Sequence, residues 1–277
     1  SGMHSRHAVD IMENYKKHVI VEKPMALRLS DLDEMEAAAR QSNVKIFPVY
    51  QNRYNKAVQK VREDILDRRL GKLVLGTVRV RWCRPQRYYD RDIWRGTWAM
   101  DGGALTNQGI HYIDLLEYLM GDVISVRAKM ATQLVSVEVE DTFVATMCFE
   151  NGALGVIEIT TAARPDDFEA SISILAENGT AILGGLACNL LDEYTLSPEE
   201  RSAHSVQIPD AYGFGHWGFF RDVISDLREG KNHPISFGEG SRAIRLLNAF
   251  YSSAEKNEEV VIKDNMASKN LGKKDSQ

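Results

Sequence analysis

Over the first fifty residues the apolar positions recur at helical and then at strand spacing, twice. His7, Ala8, Ile11, Met12 and Tyr15 mark one face of a helix, and a β-rich run from His18 to Glu22 follows. Ser30 then caps a second helix with Asp33 and Glu34 in its first turn and Leu32, Met35, Ala38 and Ala39 inward, and Lys45 to Tyr50 returns as a strand. Helix alternating with strand predicts a parallel sheet. A first helix whose apolar face has nothing before it to pack on reads as the second half of a βαβ unit, and Ser1 is not an initiator methionine. A missing N-terminal part is therefore expected.

After Tyr50 the period changes. A helix over about Lys56 to Leu70 leads to Leu73–Trp82, where apolar and polar residues alternate as in a strand with one covered face. From Val123 strands dominate. Asn151–Gly152 separates Thr142–Phe149 from Ala153–Thr161, and Asn178–Gly179 separates Ala170–Leu175 from Thr180–Leu183; both pairs suit tight hairpin turns with positive φ. Two helices follow, roughly His216–Arg228 and Glu239–Glu255, and the polar tail after Lys263 is expected to fray. The predicted fold is α/β, a partial Rossmann-like parallel unit over 1–49, followed over 50–277 by an α+β domain with a large, mostly antiparallel open sheet.

Composition narrows the partners. The 277 residues are 44% hydrophobic, enough for a full core, and carry a net charge of -5 with Lys and Arg scattered among Asp and Glu. That pattern offers no nucleic-acid groove and no basic membrane patch, so a small molecule is the expected ligand. Cys83, Cys148 and Cys188 are far apart and without metal spacing, which predicts neither a disulfide framework nor a metal site and points to a reducing compartment, the cytoplasm. No apolar run is long enough to span a bilayer.

The densest chemistry lies in Asp101–Gly121. Two glycines run into an amphipathic helix from Leu105, and spacings of four and three residues place Asn107, His111 and Asp114 on one face. A structural histidine with capping partners fits the same residues. Glu22-Lys23-Pro24 ends a strand of the parallel unit, where open α/β sheets bind ligands, or else Lys23 is a solvated lysine before a turn. Gly213, Gly215 and Gly218 match G-x-G-x-x-G ahead of a helix, but no buried strand precedes them and a dinucleotide turn is not expected there. His216 in that loop is a helix-start residue or a ligand contact. Arg84, Trp94 and Arg95 belong to a stretch rich in guanidinium and aromatic groups, suited to an anionic ring-containing ligand or to arginine stacked on tryptophan at the surface; Arg164 raises the same question. Hydrolase and NTPase motifs are absent.

Taken together, Ser1–His4, Lys17–Met25 and Gly102–Asp114 resemble the T-P-x-x-x-H loop, the E-K-P motif and the G-G-x-L-x-[DN]-x-G-x-H-x-x-D helix of the Gfo/Idh/MocA oxidoreductases. Trp94–Thr97, Thr106–His111 and Tyr212–His216 look like the subgroup that oxidises the 3-hydroxyl of UDP-N-acetylglucosaminuronate for surface polysaccharide. The resemblance implies an NAD- or NADP-dependent sugar dehydrogenase that assembles as a homodimer or homotetramer. His111 would be the general base, Lys23 would bond the same hydroxyl oxygen and the cofactor ribose, and Asn107 would orient the substrate. Asp114 would fix the tautomer of His111 or stabilise the helix. His4, Glu22, Lys23, Pro24 and Gln51 would hold cofactor, while Arg84, Trp94, Arg95, Asn107, Arg164 and His216 would hold substrate. Two departures stand out: no strand and glycine-rich turn precede Ser1, and Asn107 stands where many members carry an acid. The first leaves open a catalytically inactive sugar-nucleotide-binding or scaffold protein.

Overall fold

The early alternation of periods builds two short parallel strands beneath two helices. In the computed structural model, which describes residues 1–262 and 266–273, α1 (His4–Tyr15) leads into β1 (Val19–Val21), and α2 (Leu29–Ser42) into β2 (Ile46–Pro48). The strands pair in parallel, Val19 opposite Ile46 and Val21 opposite Pro48. Ala8 and Met12 of α1 are buried, but Ile11 and Tyr15 are 38% and 64% exposed, so only part of the expected apolar face is covered. Arg28, not Ser30, occupies the N-cap position of α2, and its guanidinium donates to Asp31 in the first turn.

A 3-10 turn (Gln51–Tyr54) and α3 (Lys56–Leu66) lead to the large sheet. Its strands are β3 (Leu73–Arg81), β4 (Val123–Ala131), β5 (Thr142–Phe149), β6 (Leu154–Thr160), β7 (Glu169–Ala176), β8 (Thr180–Gly184), β9 (Leu190–Tyr194) and β10 (Val260–Val261). Their order is β10-β4-β5-β6-β3-β7-β8-β9, antiparallel throughout except for the central β3–β6 pair. The expected architecture, a partial Rossmann unit followed by a mostly antiparallel open sheet, is the one observed. A short α4 (Gln86–Tyr89) and a π-helical turn (Leu105–Gly109) precede α5 (Ile110–Met120); a short α6 (Arg201–His204), α7 (Gly215–Glu229) and α8 (Phe237–Lys256) follow β9.

Strand alternation decides which face of the sheet is covered. Val78, Val80, Ile157, Ile159, Ile172 and Ile174 point inward and are fully buried, in one hydrophobic cluster with Ile113 and Leu116 of α5 and Leu247 and Phe250 of α8. On the other face Val144, Leu154 and Val156 are 45%, 55% and 38% exposed. Both Asn-Gly pairs close hairpins, β5–β6 and β7–β8. Gly152 adopts φ 84°, whereas Gly179 does not need positive φ: it is small because a Cβ there would lie 2.9 Å from Thr195 Oγ1.

The tail departs from expectation. Lys263, Asp264, Asn265 and residues 274–277 lie outside the described residues. Met266–Lys273 does not fray but packs back on the body: Ser268 Oγ donates to Glu255 at 2.7 Å, Leu271 is 2% exposed, and Gly272 N donates to Trp98 O at 2.8 Å. These contacts suffice to hold a segment whose composition reads as solvated. Among the described residues no helix is long and apolar enough to cross a membrane.

Candidate active site

The carboxyl ends of β1 and β2 face the π turn that starts the α5 segment, and the predicted residues meet there. Lys23, one residue past Glu22 at the end of β1, donates from Nζ to the backbone oxygen of Asn107 at 2.9 Å. Burial lowers its pKa, while the charges of Glu22 and Asp101 oppose that shift. The Lys23–Pro24 peptide is cis, and His4 Nδ1 lies 2.8 Å from Pro24 O, tying the start of α1 to the same loop. Gln51 follows β2 and is 4% exposed, with an Oε1 that has no hydrogen-bond partner among the described residues.

His111 stands in the first turn of α5. Burial, reinforced by the charges of Lys23 and His216, holds its pKa well below the ordinary value, so the imidazole is neutral near pH 7. Its buried Nδ1 has no partner among the described residues. Asp114 does not serve it. The Asp114 carboxylate receives Arg53 Nε at 2.9 Å and Nη2 at 2.6 Å, both side chains being buried. The expected cooperation of Asn107, His111 and Asp114 is therefore not formed: a π turn over residues 105–109 changes the phase between Asn107 and α5, and Asp114, three residues after His111 in α5, is taken up by Arg53.

The arginines predicted to meet substrate have partners of their own. Arg95 donates to Asp92 at 2.8 Å and to Tyr88 OH at 2.7 Å, with its guanidinium over the Tyr88 and Trp94 rings, each 4.6 Å away. Arg84 stacks on Trp82 and Tyr88 and pairs with Asp167 at 2.8 Å. Arg164 donates to the backbone oxygens of Thr161 and Ala163 at 3.1 and 2.7 Å. Tyr88 connects this wall to the histidine helix, since Gln108 Nε2 approaches its hydroxyl at 3.4 Å. Arg84, Trp94, Arg95 and Tyr88 thus form one aromatic–guanidinium wall, and Arg164 stands behind Cys83, whose Sγ lies 3.8 Å from its Nη1.

His216 joins the cleft from the opposite side, its Nε2 3.4 Å from Glu22 Oε1. The glycines around it serve packing. A Cβ on Gly215 would lie 2.1 Å from Gln51 O, and one on Gly218 2.6 Å from Tyr54 Cδ1, so α7 lies directly on the turn after β2. No strand precedes them, in line with the sequence expectation.

Two buried carboxylates escaped the sequence reading. Asp101, 2% exposed, accepts from Gly96 N at 2.8 Å and from the Asn107 side-chain amide. Glu140, also 2% exposed, accepts at Oε1 from Leu105 N at 3.0 Å and Tyr251 OH at 2.9 Å, and burial pushes its pKa up to about 7. A Cβ on Gly103 would stand 1.8 Å from Glu140 Oε2, so the second glycine of the pair makes room for this side chain. An acid immediately before Gly-Gly was the available signal for Asp101. Glu140 lies in an alternating Val-Glu-Val-Glu run that reads as one solvated face.

The fold and this cleft are those of a pyridine-nucleotide oxidoreductase. Residues 1–50 match the family model described as oxidoreductase family, NAD-binding Rossmann fold, and residues 58–182 match the Gfo/Idh/MocA C-terminal domain. The WlbA dehydrogenase of Bordetella pertussis, solved in complex with NADH and UDP-GlcNAcA, superposes with a TM-score of 0.90 at 38% identity, covering 95% of this chain and 77% of its own. Its counterpart from Chromobacterium violaceum, with the same two ligands, gives 0.87 at 36% identity, covering 95% and 75%. The glucose-6-phosphate 3-dehydrogenase of Bacillus subtilis is 30% identical over 90% of this chain and 75% of its own length. The chain belongs to the Gfo/Idh/MocA oxidoreductase family.

The residues present fit the nicotinamide end of such a cofactor. Lys23 and the unpartnered acceptor of Gln51 lie at the carboxyl ends of parallel strands, where open α/β sheets bind ligands. Among the described residues no glycine-rich turn follows a parallel strand, so this chain shows no cradle for the pyrophosphate.

Proposed function

We propose that the cleft oxidises a secondary hydroxyl of a nucleotide-sugar, C3 of a UDP-N-acetylglucosaminuronate, with NAD as hydride acceptor. The convergence of Lys23, Asn107 and His111 at the end of β1 carries this reading, and the kinship with dehydrogenases solved with NADH and UDP-GlcNAcA supports it. In it, residues 1–49 with His4, Glu22, Lys23, Pro24 and Gln51 form the cofactor side, and residues 50–277 form the substrate and oligomerisation side.

The neutral imidazole of His111 accepts the hydroxyl proton. Lys23 donates to the same oxygen and stabilises the negative charge that grows on it as the carbonyl forms. A nicotinamide held beside Lys23 and Gln51 would supply the acceptor for the carbinol hydride. Asn107 orients the sugar, and the wall of Arg84, Trp94 and Arg95, with Arg164 behind it, faces the uronate and diphosphate. His216 closes the opposite side.

A second reading, a sugar-nucleotide-binding protein without turnover, draws on Asn107, whose amide in the cleft cannot take a proton. Calorimetry separates the two. NAD⁺ and UDP-GlcNAcA are titrated singly and together. Binding of both supports the dehydrogenase, binding of the sugar nucleotide alone supports the second reading, and binding of neither overturns both.

A further inference from the structure

Asp101 is a buried carboxyl group that meets only neutral groups among its described hydrogen-bond partners, the Gly96 N–H at 2.8 Å and the Asn107 amide, and burial raises its pKa. Burying a carboxylate without a direct counter-ion is unfavourable by several kcal/mol, so the surroundings must compensate. The positive side chains that face it are Arg95 and, beyond Asn107, Lys23. Asn107 is thus held from two sides: its side chain by Asp101, its backbone oxygen by Lys23 at 2.9 Å.

An ionised carboxylate only accepts hydrogen bonds, and this settles which way the amide points. The Asn107 NH2 turns to Asp101, leaving Oδ1 on the other side. There Gln108 Nε2 takes one lone pair at 3.3 Å, and the second remains for a ligand donor. Without the carboxylate the amide is free to flip and offer a donor in place of an acceptor.

We propose that Asp101 is a positioning residue: it locks the Asn107 amide with its oxygen free to accept from a sugar hydroxyl or acetamido N–H, and together with Glu22 it supplies counter-charge for the Lys23 ammonium. The ligand half of this statement rests on the nucleotide-sugar reading above; the counter-charge half does not. The groups facing Lys23 are Glu22 beside it, Asp101 from the loop before the π turn and His111 from α5.

The test uses the full chain, Asp101→Asn, and the swap Asp101→Asn/Asn107→Asp, which restores an amide–carboxylate pair in reverse. Lys23 is titrated by NMR on ¹³C-lysine protein, assigned through Lys23→Arg, and UDP-GlcNAcA affinity is measured by calorimetry. In Asp101→Asn the Lys23 midpoint should fall by about one unit and affinity by about tenfold, the factor equivalent to about 1.4 kcal/mol. The swap should bring both most of the way back, which a purely packing role for Asp101 would not do. An unchanged Lys23 midpoint in Asp101→Asn, or a swap no better than the single variant, overturns the proposal. Should Asp101→Asn fail to fold, the swap's Lys23 midpoint decides alone: wild-type-like supports the proposal, about one unit lower overturns it. If wild-type protein binds no UDP-GlcNAcA, the nucleotide-sugar reading fails while the lysine titration still decides the counter-charge.

Discussion

Glu140→Gln should make the protein more stable than wild type at alkaline pH and not at acid pH, because the buried carboxyl ionises only against its surroundings. Oε1 has two donors, but Oε2 abuts Gly103 and has no partner among the described residues. Its pKa is pushed up from 4.5 to about 7, chiefly by burial. The sign is the reverse of the usual carboxylate case. The folded chain keeps a proton that the unfolded chain releases above pH 4.5, so stability falls as pH rises and levels off past about pH 7. At 1.36 kcal/mol per unit, wild type should lose about 2 to 3 kcal/mol through this group between pH 5 and pH 8. Glutamine keeps the acceptor for Leu105 and Tyr251 and never ionises.

Urea denaturation of both proteins at pH 5, 6, 7 and 8 measures the difference directly. Glu117, also raised to about 7, and His111, held low, titrate equally in the two proteins and cancel in the comparison. The variant should be near wild type at pH 5 and ahead by about 2 kcal/mol at pH 8. Stability curves that stay parallel across this range would show that Glu140 is ionised throughout, and the reasoning from burial would be wrong.

Gly103→Ala places a methyl 1.8 Å from Glu140 Oε2 and should destabilise by about 2 kcal/mol or more; Gly103→Ala/Glu140→Ala should lose clearly less than the sum of the two single changes in the same denaturation assay. Asp114→Asn leaves Arg53 buried without its bidentate partner and should cost about 3 kcal/mol, yet ligand affinity of the folded fraction should hold, since Asp114 does not contact His111. In a catalytically complete enzyme, His111→Ala and Lys23→Met should each abolish turnover with unchanged melting; near-normal rates in both would refute the assignment. The exposed sheet face with Val144, Leu154 and Val156 is read as the oligomer contact, so Val156→Asp should shift wild-type assemblies toward monomer in sedimentation, and a wild type that is already monomeric at micromolar concentration contradicts that reading.

Local pattern made much of this legible. The switch from alternating helix and strand to antiparallel hairpins located both sheets, and an E-K-P strand end and a histidine helix located the cleft. What stayed hidden depends on non-local burial. Period counting treats Leu105–Met120 as one helix, whereas a π turn over 105–109 shifts Asn107 relative to His111, and Arg53, far away in sequence, takes up Asp114. Asp101 and Glu140 carry ordinary surface residue types, and only the folded chain shows them buried beneath the glycine pair. The tail reads as solvated because its anchors are largely backbone and hydroxyl contacts with Leu271 as the buried apolar residue, which leaves its composition polar.

These hidden residues bear on the visible ones through a chain of charges. His111 can accept a proton near neutrality only while it is itself unprotonated, and the Lys23 charge helps burial to keep it so. Lys23 can retain that charge in a buried position because Glu22 and, after it, Asp101 oppose the effect of burial. Asp101 is held in turn by the Gly96 N–H and the Asn107 amide, and the π turn bearing Asn107 is pinned where Glu140 accepts from Leu105 N. A change at Asp101 therefore reaches the imidazole through Lys23 without touching substrate. The expected signature is a displaced acid limb in the pH profile of binding or turnover, since weakening the Lys23 charge lets His111 protonate at higher pH.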